Sequence, residues 1–512
     1  MKENPTPTKR SRLDPYVFWP AMAVLLVITA VLAGFQQTLA PLMTEALNLI
    51  NHRLDWVFEF LTFGIFVMLL WFAFGRYGSI RFGSEGEKPV FGNFSYGAML
   101  FCAGMGTSIM FWSIIEPMYY YQGPPFQVAG ETAAAAEWAL TYGLFHWGVS
   151  AWCIYTLPTV VIAYSLYNKG NKSLKISQAC KGVLGARADG WLGRVIDIFV
   201  IWSLVGGLGT SLGLGVPMIS AGIGDIFGIE QSTQLSIAII LIWSAIYLTS
   251  ATLGLEKGIS NLSNLNVYLA VTLALFVLLV GPTSFLFSYF TDSFGRMAQN
   301  FMRMSFYTDP IHGSGFPQSW TVFYWVWFAC TAPFLGLFVA RISKGRTIKS
   351  TVINMLAWGT LGGWLYFAVM GGYAMHLELN GLFDVVGSMA ENGNAQTIIN
   401  VLNTLPLGKV VVVFFVLLGF IFLATSLDSA SFVLASTASV GEEDGEEPAT
   451  WHTIIWGVVM AVLAISLLLI GGLKVVQSST VIVAVPVLLI YLLLIVSILC
   501  WLRQDYGHKG AK

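Results

Sequence analysis

Long apolar runs recur along the whole chain, separated by short polar loops. A bilayer core of ~30 Å is crossed by about 20 apolar helical residues, and β-barrel strands give no runs of that length. The pattern predicts twelve membrane-spanning helices, near 16–35, 54–74, 94–121, 138–168, 190–222, 234–253, 265–290, 320–340, 352–376, 408–440, 452–473 and 478–502. The first run is long and no small-residue cleavage site clearly follows it, so it reads as a span and not as a cleaved signal peptide. The tails at 1–15 and 503–512 are too short to bury a core of their own. The acidic loop Gly441–Pro448 reads as a solvated helix connection, with a regulatory role as the alternative.

Composition agrees. Of 512 residues, 56% are hydrophobic and 10% charged, with a mean hydropathy of +0.72. A soluble domain carries about 25% charged residues, so soluble enzymes and nucleic-acid binders are excluded. The net charge of −1 hides an uneven placement of basic residues. With the N-terminus inside, 21 of the 26 lysines and arginines fall on inside segments. The positive-inside rule then puts both termini in the cytoplasm of a cell (bacterial inner) membrane. Five scattered cysteines without a CxxC pair suggest neither a disulfide framework nor a metal site. No HExxH, GxSxG or similar nucleophile–base arrangement is present, and no ring-forming channel filter.

Glycine and hydroxyl residues concentrate in three spans. Span 3 carries Gly104-Met105-Gly106-Thr107-Ser108, span 5 carries Gly209-Thr210-Ser211-Leu212-Gly213-Leu214-Gly215, and span 10 carries Ala424-Thr425-Ser426-Leu427-Asp428-Ser429-Ala430-Ser431. Glycine weakens a helix interior by about 1 kcal/mol, so these stretches favour local unwinding. Unwound backbone at that depth is tolerated only inside protein or along a wet cavity. The competing reading is that small residues let helices pack closely. Spans 3–7 and 8–12 divide into two groups of five, in which spans 5 and 10 each come third and share Thr-Ser-Leu. Such matched segments point to an inverted-repeat transporter.

Spans 4 and 8 are rich in aromatics. At ~100° per residue, Trp147, Trp152 and Tyr155 share one arc of a helix, and span 8 reads Ser319-Trp-Thr-Val-Phe-Tyr-Trp-Val-Trp-Phe328. An interfacial belt accounts for Trp320 at the edge of its span, and plain helix packing is the alternative for the rest. A cluster of indoles with no balancing carboxylate suits a quaternary ammonium, each ring face attracting it by roughly 0.5–2 kcal/mol. The intramembrane acids are few (Glu59, Glu116, Asp197 and Asp428) and none reads as a proton carrier: Glu116 and Asp197 suit structural pairing, and Asp428 supports the turn after Thr425-Ser426.

The chain resembles the betaine/carnitine/choline transporter family over about residues 14–503. The likeness rests on Trp320-Thr-Val-Phe-Tyr-Trp-Val-Trp327, on Ala340-Arg-Ile-Ser-Lys-Gly-Arg346, and on Phe145-His146-Trp147. It extends to Gly104-Met105-Gly106 and Thr425-Ser426-x-Asp428-Ser429. The resemblance implies an all-α integral membrane fold with 12 transmembrane helices. Two inverted five-helix repeats (LeuT-type) at 94–290 and 320–502 would be joined by an amphipathic segment at 291–319. Two peripheral helices within 16–93 would precede them, and the assembly would be a homotrimer. It further implies an aromatic box of Trp147, Trp152, Tyr155 and Trp327, with Tyr119 as a further wall. Phe328 stands where the family has a second Trp of the signature, Thr331 where many members carry an aromatic, and Ser108 where sodium-coupled betaine members have glycine.

A sodium site is implied at the carbonyls of Cys102, Met105 and Phe422 with the hydroxyls of Thr425 and Ser426. Sodium-independent members fill that place with an arginine whose position here is Ser260. A second family sodium site loses two span 5 threonines to Leu204 and Leu208 but keeps Ser211 and Phe334. The resulting expectation is a transporter with no cofactor that imports a small methylated onium zwitterion (betaine, choline, carnitine or dimethylsulfoniopropionate) with Na⁺ by alternating access. The substrate carboxylate would meet the broken backbone of Met105, Gly106 and Ser108. The alternative is Na⁺-independent substrate/product antiport of carnitine-type compounds. The partners expected are the onium substrate, Na⁺ and membrane lipid, with no nucleic acid.

Overall fold

The computed structural model describes residues 10–104, 106–171, 173–253, 255–440, 447–470 and 473–507. Met105, most of the acidic loop, and the side chains of Leu208, Ser260 and Asp428 lie outside that description. Among the described residues, eight helices are long and apolar enough to cross a membrane, and one bent pair passes as a broken span. Three shorter apolar stretches, Pro15–Val27, Thr233–Ile246 and Thr450–Ser466, fall at predicted spans 1, 6 and 11.

Helix α1 (Pro15–Phe74) runs through both predicted spans 1 and 2 and leaves helical geometry only at Phe35 (φ −128°, ψ 26°). A loop was expected across 36–53. That stretch is rich in Leu, Ala, Met and Glu, strong helix formers that carry the helix on. Span 3 breaks as predicted: α2 (Asn93–Gly104) and α3 (Gly106–Gln122) meet at 65°. Gly106 takes φ +47°, a left-handed conformation that glycine alone adopts freely.

Span 4 is also broken, which the sequence reading missed. Helix α4 (Ala133–His146) stops at Trp147 (φ −104°, ψ 11°), and α5 (Val149–Tyr167) starts after an extended Gly148. A Cβ at 148 would lie 2.5 Å from the Leu144 carbonyl oxygen, so glycine is what allows this turn.

The breaks expected in spans 5 and 10 are absent. Helices α6 (Trp191–Phe227) and α14 (Gly408–Thr437) run through those sequences. In α14 the Thr425, Ser426, Ser429 and Ser431 hydroxyls bond carbonyls of their own helix, and along α6 packing is the reason. Gly207 lies against Thr331, Gly215 against Leu423 and Thr107, and Gly222 against Val416, so the missing side chains admit neighbouring helices.

Between these come α7 (Thr233–Leu253), α8 (Leu255–Val280), α9 (Thr283–Ser305), α10 (Phe323–Ile342), α11 (Ile348–Tyr366), α12 (Gly372–Leu379) and α13 (Val385–Asn403). Helices α15 (Thr450–Ile470) and α16 (Leu473–Tyr506) end the chain. Span 7 ends ten residues earlier than expected, because Gly281-Pro282 interrupts the helix and Pro282 has no N–H to continue it. The amphipathic connection is therefore α9 itself, held by Arg296 against Glu137 (2.7 Å) and by the Tyr289 hydroxyl on the Ala136 carbonyl. Two π-helical turns, Gln318–Val322 and Phe367–Gly371, precede α10 and α12.

The two halves exchange partners reciprocally. Helix α10 packs on α5, and α11 on α2, so the first span of each half meets the second span of the other. The third helices, α6 and α14, pack on each other, as do the fourth, α7 and α15. Helix α6 also meets α16, and α14 meets α8, the fifth helix of the opposite half. That exchange is the contact pattern of a two-fold relation. With five helices per half, the second half starts from the opposite face and the repeat is inverted.

Both described ends of the chain lie on one face. Asp14 pairs with Lys175 (3.5 Å) and Asp505 with Lys169 (2.6 Å). The loops after spans 2 and 8 join them there, through Arg81 to the Gly345 carbonyl and Asn168 to the Arg81 carbonyl (2.9 Å). Lys344, bonded to Glu87 at 3.0 Å, holds that carboxyl below the usual carboxylate range. Strand β1 (Arg10–Leu13) sits between β2 (Ser439–Val440) and β3 (Glu447–Pro448) on the same face, an element the sequence did not predict.

Candidate functional site

The break between α2 and α3 turns two helix ends toward each other. The last carbonyls of α2 have no N–H to accept within the helix, and the first N–H groups of α3 have no carbonyl. One end therefore draws a cation and the other an anion.

Helix α14 supplies hydroxyls to the carbonyl end. The Ser426 hydroxyl donates to the Phe422 carbonyl at 3.0 Å and lies 3.5 Å from that of Cys102. The Thr425 hydroxyl donates to the Phe422 carbonyl at 2.8 Å. Cys102, Phe422, Thr425 and Ser426, four of the five expected ion ligands, are thus brought together as neutral oxygens; Met105 lies outside the described residues.

A pocket of about 40 Å³ opens beside them, lined on the broken span by Gly104, Gly106, Thr107 and Ser108. Across from these stand Tyr155, Trp327, Thr331 and Ser426, together with Ser211 and Phe334. Its volume is room for on the order of three waters, so a trimethylammonium guest has to spread the walls. The Thr107 hydroxyl and the Trp327 indole N–H are buried and have no hydrogen-bond partner among the described residues, unusual for buried polar atoms.

The aromatics converge next to this pocket. Trp147 lies 6.2 Å from Trp327 and 5.7 Å from Phe328, both near-perpendicular, and Tyr155 lies 5.6 Å from Phe328 and 5.5 Å from Trp152. The Tyr155 and Thr331 hydroxyls are 3.0 Å apart. Where many members of the resembled family carry an aromatic, this chain therefore has a hydroxyl that steadies Tyr155. Trp152 is pinned between glycines: a Cβ on Gly104 would come 2.6 Å from its ring, and one on Gly359 would overlap it.

Tyr119 does not join the group. Its hydroxyl bonds Asn394 of α13, and its ring tilts on Trp320 at 5.6 Å.

Nothing in the spacing of residues connects Glu116 with the box, and by sequence the indoles have no acid. In the structure the Trp147 indole N–H donates to Glu116 Oε2 at 2.7 Å, as does the Tyr324 hydroxyl at 2.5 Å. The available signal was chemical: a fully buried acid needs donors, and the nearby spans offer them mainly as Trp and Tyr. Asp197 is paired as expected, accepting from Ser177 N (3.1 Å) and its hydroxyl (2.8 Å).

The chain matches the profile of the betaine/carnitine/choline family of transporters over residues 16–507. It is 36% identical over 487 residues to the glycine betaine transporter OpuD of Bacillus subtilis, covering 94% of this chain and 93% of that protein. It is 33% identical over 436 residues to a carnitine transporter of Acinetobacter baumannii, covering 85% of this chain and 79% of that protein. It is also 33% identical over 445 residues to YeaV, an uncharacterised transporter of Escherichia coli, covering 87% of this chain and 92% of that protein.

Proposed function

We propose a function from the premise that this chain belongs to the betaine/carnitine/choline family of transporters, and so is a transporter and not an enzyme: it imports a small methylated onium zwitterion together with Na⁺. The observation that carries this reading is the adjacency of two unlike sites at one helix break. The aromatic group of Trp147, Trp152, Tyr155, Trp327 and Phe328 suits a methylated cation, which offers no hydrogen bonds and is drawn to ring faces. The N-terminal end of α3 at Gly106, with the free hydroxyl of Thr107, suits its carboxylate.

The carbonyls of Cys102 and Phe422 and the hydroxyls of Thr425 and Ser426 suit a hard monovalent cation. An ion there would stabilise the bend that also shapes the substrate site, which is how one solute's gradient could drive the other. Ser211 and Phe334, on the same pocket, are where a second Na⁺ would sit. Substrates of the betaine and carnitine type are favoured by the relatives' names. The face that gathers the chain ends and the basic loops is assigned to the cytoplasm of a bacterial inner membrane by the positive-inside rule, and the assembly to a trimer on family resemblance.

Uptake of labelled betaine, choline, carnitine and dimethylsulfoniopropionate into proteoliposomes tests the reading. Accumulation of at least one of them under an inward sodium gradient is expected. Accumulation indifferent to sodium rejects the coupling, and counterflow without any gradient identifies an exchanger. Phe328→Trp is expected to tighten binding of the preferred onium compound by about threefold, because indole is the stronger cation–π partner. Quenching of tryptophan fluorescence by that compound measures it.

A further inference from the structure

The Glu116 side chain is fully buried in α3, one residue before Pro117, and every neighbour within hydrogen-bonding distance gives it a hydrogen. Oε2 accepts from the Trp147 indole at 2.7 Å and from the Tyr324 hydroxyl at 2.5 Å, and Oε1 accepts from the Tyr120 hydroxyl at 2.6 Å. Indole can only donate, so the acceptor role of Glu116 toward Trp147 is fixed by chemistry.

A longer relay ends on the same carboxylate. His146 Nε2 lies 3.0 Å from the Thr321 hydroxyl, and Nδ1 lies 2.7 Å from the Tyr120 hydroxyl. In the neutral Nδ1–H tautomer, Thr321 donates to His146, His146 to Tyr120, and Tyr120 to Glu116. All of these hydrogens then point toward one oxygen, the arrangement that an ionised carboxylate calls for. Its ion-pair contact among the described residues is that same imidazole, at 3.5 Å, which carries no charge in this tautomer.

We propose that Glu116 is a positioning residue that sets both the geometry and the negative field of the onium site, and thereby makes the site select a permanent charge over a neutral guest of the same shape. This rests on the onium reading given above. Two rings packed behind the pocket are tied to this carboxylate. The Trp147 ring faces Trp327 and Phe328, and the Tyr324 ring stacks on Phe328 at 5.4 Å and 25°. A charge-assisted hydrogen bond from the indole N–H polarises the ring and raises electron density on its faces, where a methylated cation rests. The same bond closes off the carboxylate, so a guest feels its field without contacting it. A guest with hydrogen-bond donors therefore gains nothing over one without.

The test compares purified wild type and Glu116→Gln, which keeps an acceptor and removes the charge. Tryptophan fluorescence measures binding of choline and of betaine, each beside its carbon isostere, in which a tert-butyl group replaces trimethylammonium. Glu116→Gln is expected to weaken the onium compounds about tenfold and to leave the isosteres unchanged. Equal weakening of both would assign Glu116 a purely structural role, and no weakening of either would remove it from the site; each result overturns the proposal.

Tyr120→Phe removes one of the hydrogen bonds that favour the ionised carboxyl. Its preference for onium over isostere should fall toward that of the Gln variant, and an undiminished preference also overturns the proposal, whether or not the Gln variant folds. A wild type without any onium preference would overturn the functional reading together with the proposal, whereas a preference insensitive to the Gln exchange overturns the proposal alone.

Discussion

Gly359→Ala is expected to weaken onium binding by roughly five- to a hundredfold, while leaving a folded, monodisperse protein. A methyl group at 359 would overlap the shared edge of the Trp152 indole. The ring has no retreat on its other side, where Gly104 already approaches so closely that a Cβ there would come 2.6 Å from it. The remaining direction is toward Tyr155, 5.5 Å away, and the pocket that ring lines. Overpacking of this kind costs about 1–3 kcal/mol, and each 1.4 kcal/mol charged to the bound state is about a tenfold loss of affinity. A fluorescence titration checks it, with size-exclusion chromatography confirming the fold. An unchanged titration would mean that Trp152 does not contribute a wall.

The second large effect is expected on sodium. Thr425→Ala and Ser426→Ala each remove a hydroxyl oxygen from the cluster with the Cys102 and Phe422 carbonyls. A hydrogen bond or ligand contact to a charged group is worth about 1.5–3 kcal/mol, so each variant should need roughly ten- to a hundredfold more sodium for half-maximal uptake. The double variant should transport with no sodium response at all. Sodium-activation curves in proteoliposomes check this, and curves superimposing on the wild type would show that the ion sits elsewhere. Both hydroxyls donate back along their own helix, so alanine leaves α14 intact.

What the sequence disclosed follows from the kind of signal each feature leaves. The membrane class and the break in span 3 were legible, because two glycines one residue apart weaken a helix whatever surrounds it. The same reasoning failed at Gly209–Gly215, since a glycine looks alike in sequence whether it unwinds a helix or seats a neighbour. Only a packed partner, here Leu423 and Thr107 against Gly215, decides between the two. The break at Trp147–Gly148 was hidden for the converse reason: one glycine inside an apolar run carries little weight until its backbone is seen.

At the site, helical phase was enough to group Trp147, Trp152 and Tyr155. It could not reveal that Glu116, on another helix, accepts a hydrogen bond from the Trp147 indole, because hydrogen bonds between distant segments leave no periodic trace. Tyr119 shows the reverse error, a residue assigned by family position whose hydroxyl is committed to Asn394.

The glycine face of α6 has a mechanical consequence. At 207, 215 and 222 the helix meets Thr331, Leu423 and Val416 with no side chain of its own at those points. Interlocked ridges must climb over one another when helices shift, whereas a smooth flank lets a neighbour slip along it with little to unmesh. At these three points a shift of α10 or α14 along α6 therefore has no α6 side chain to clear.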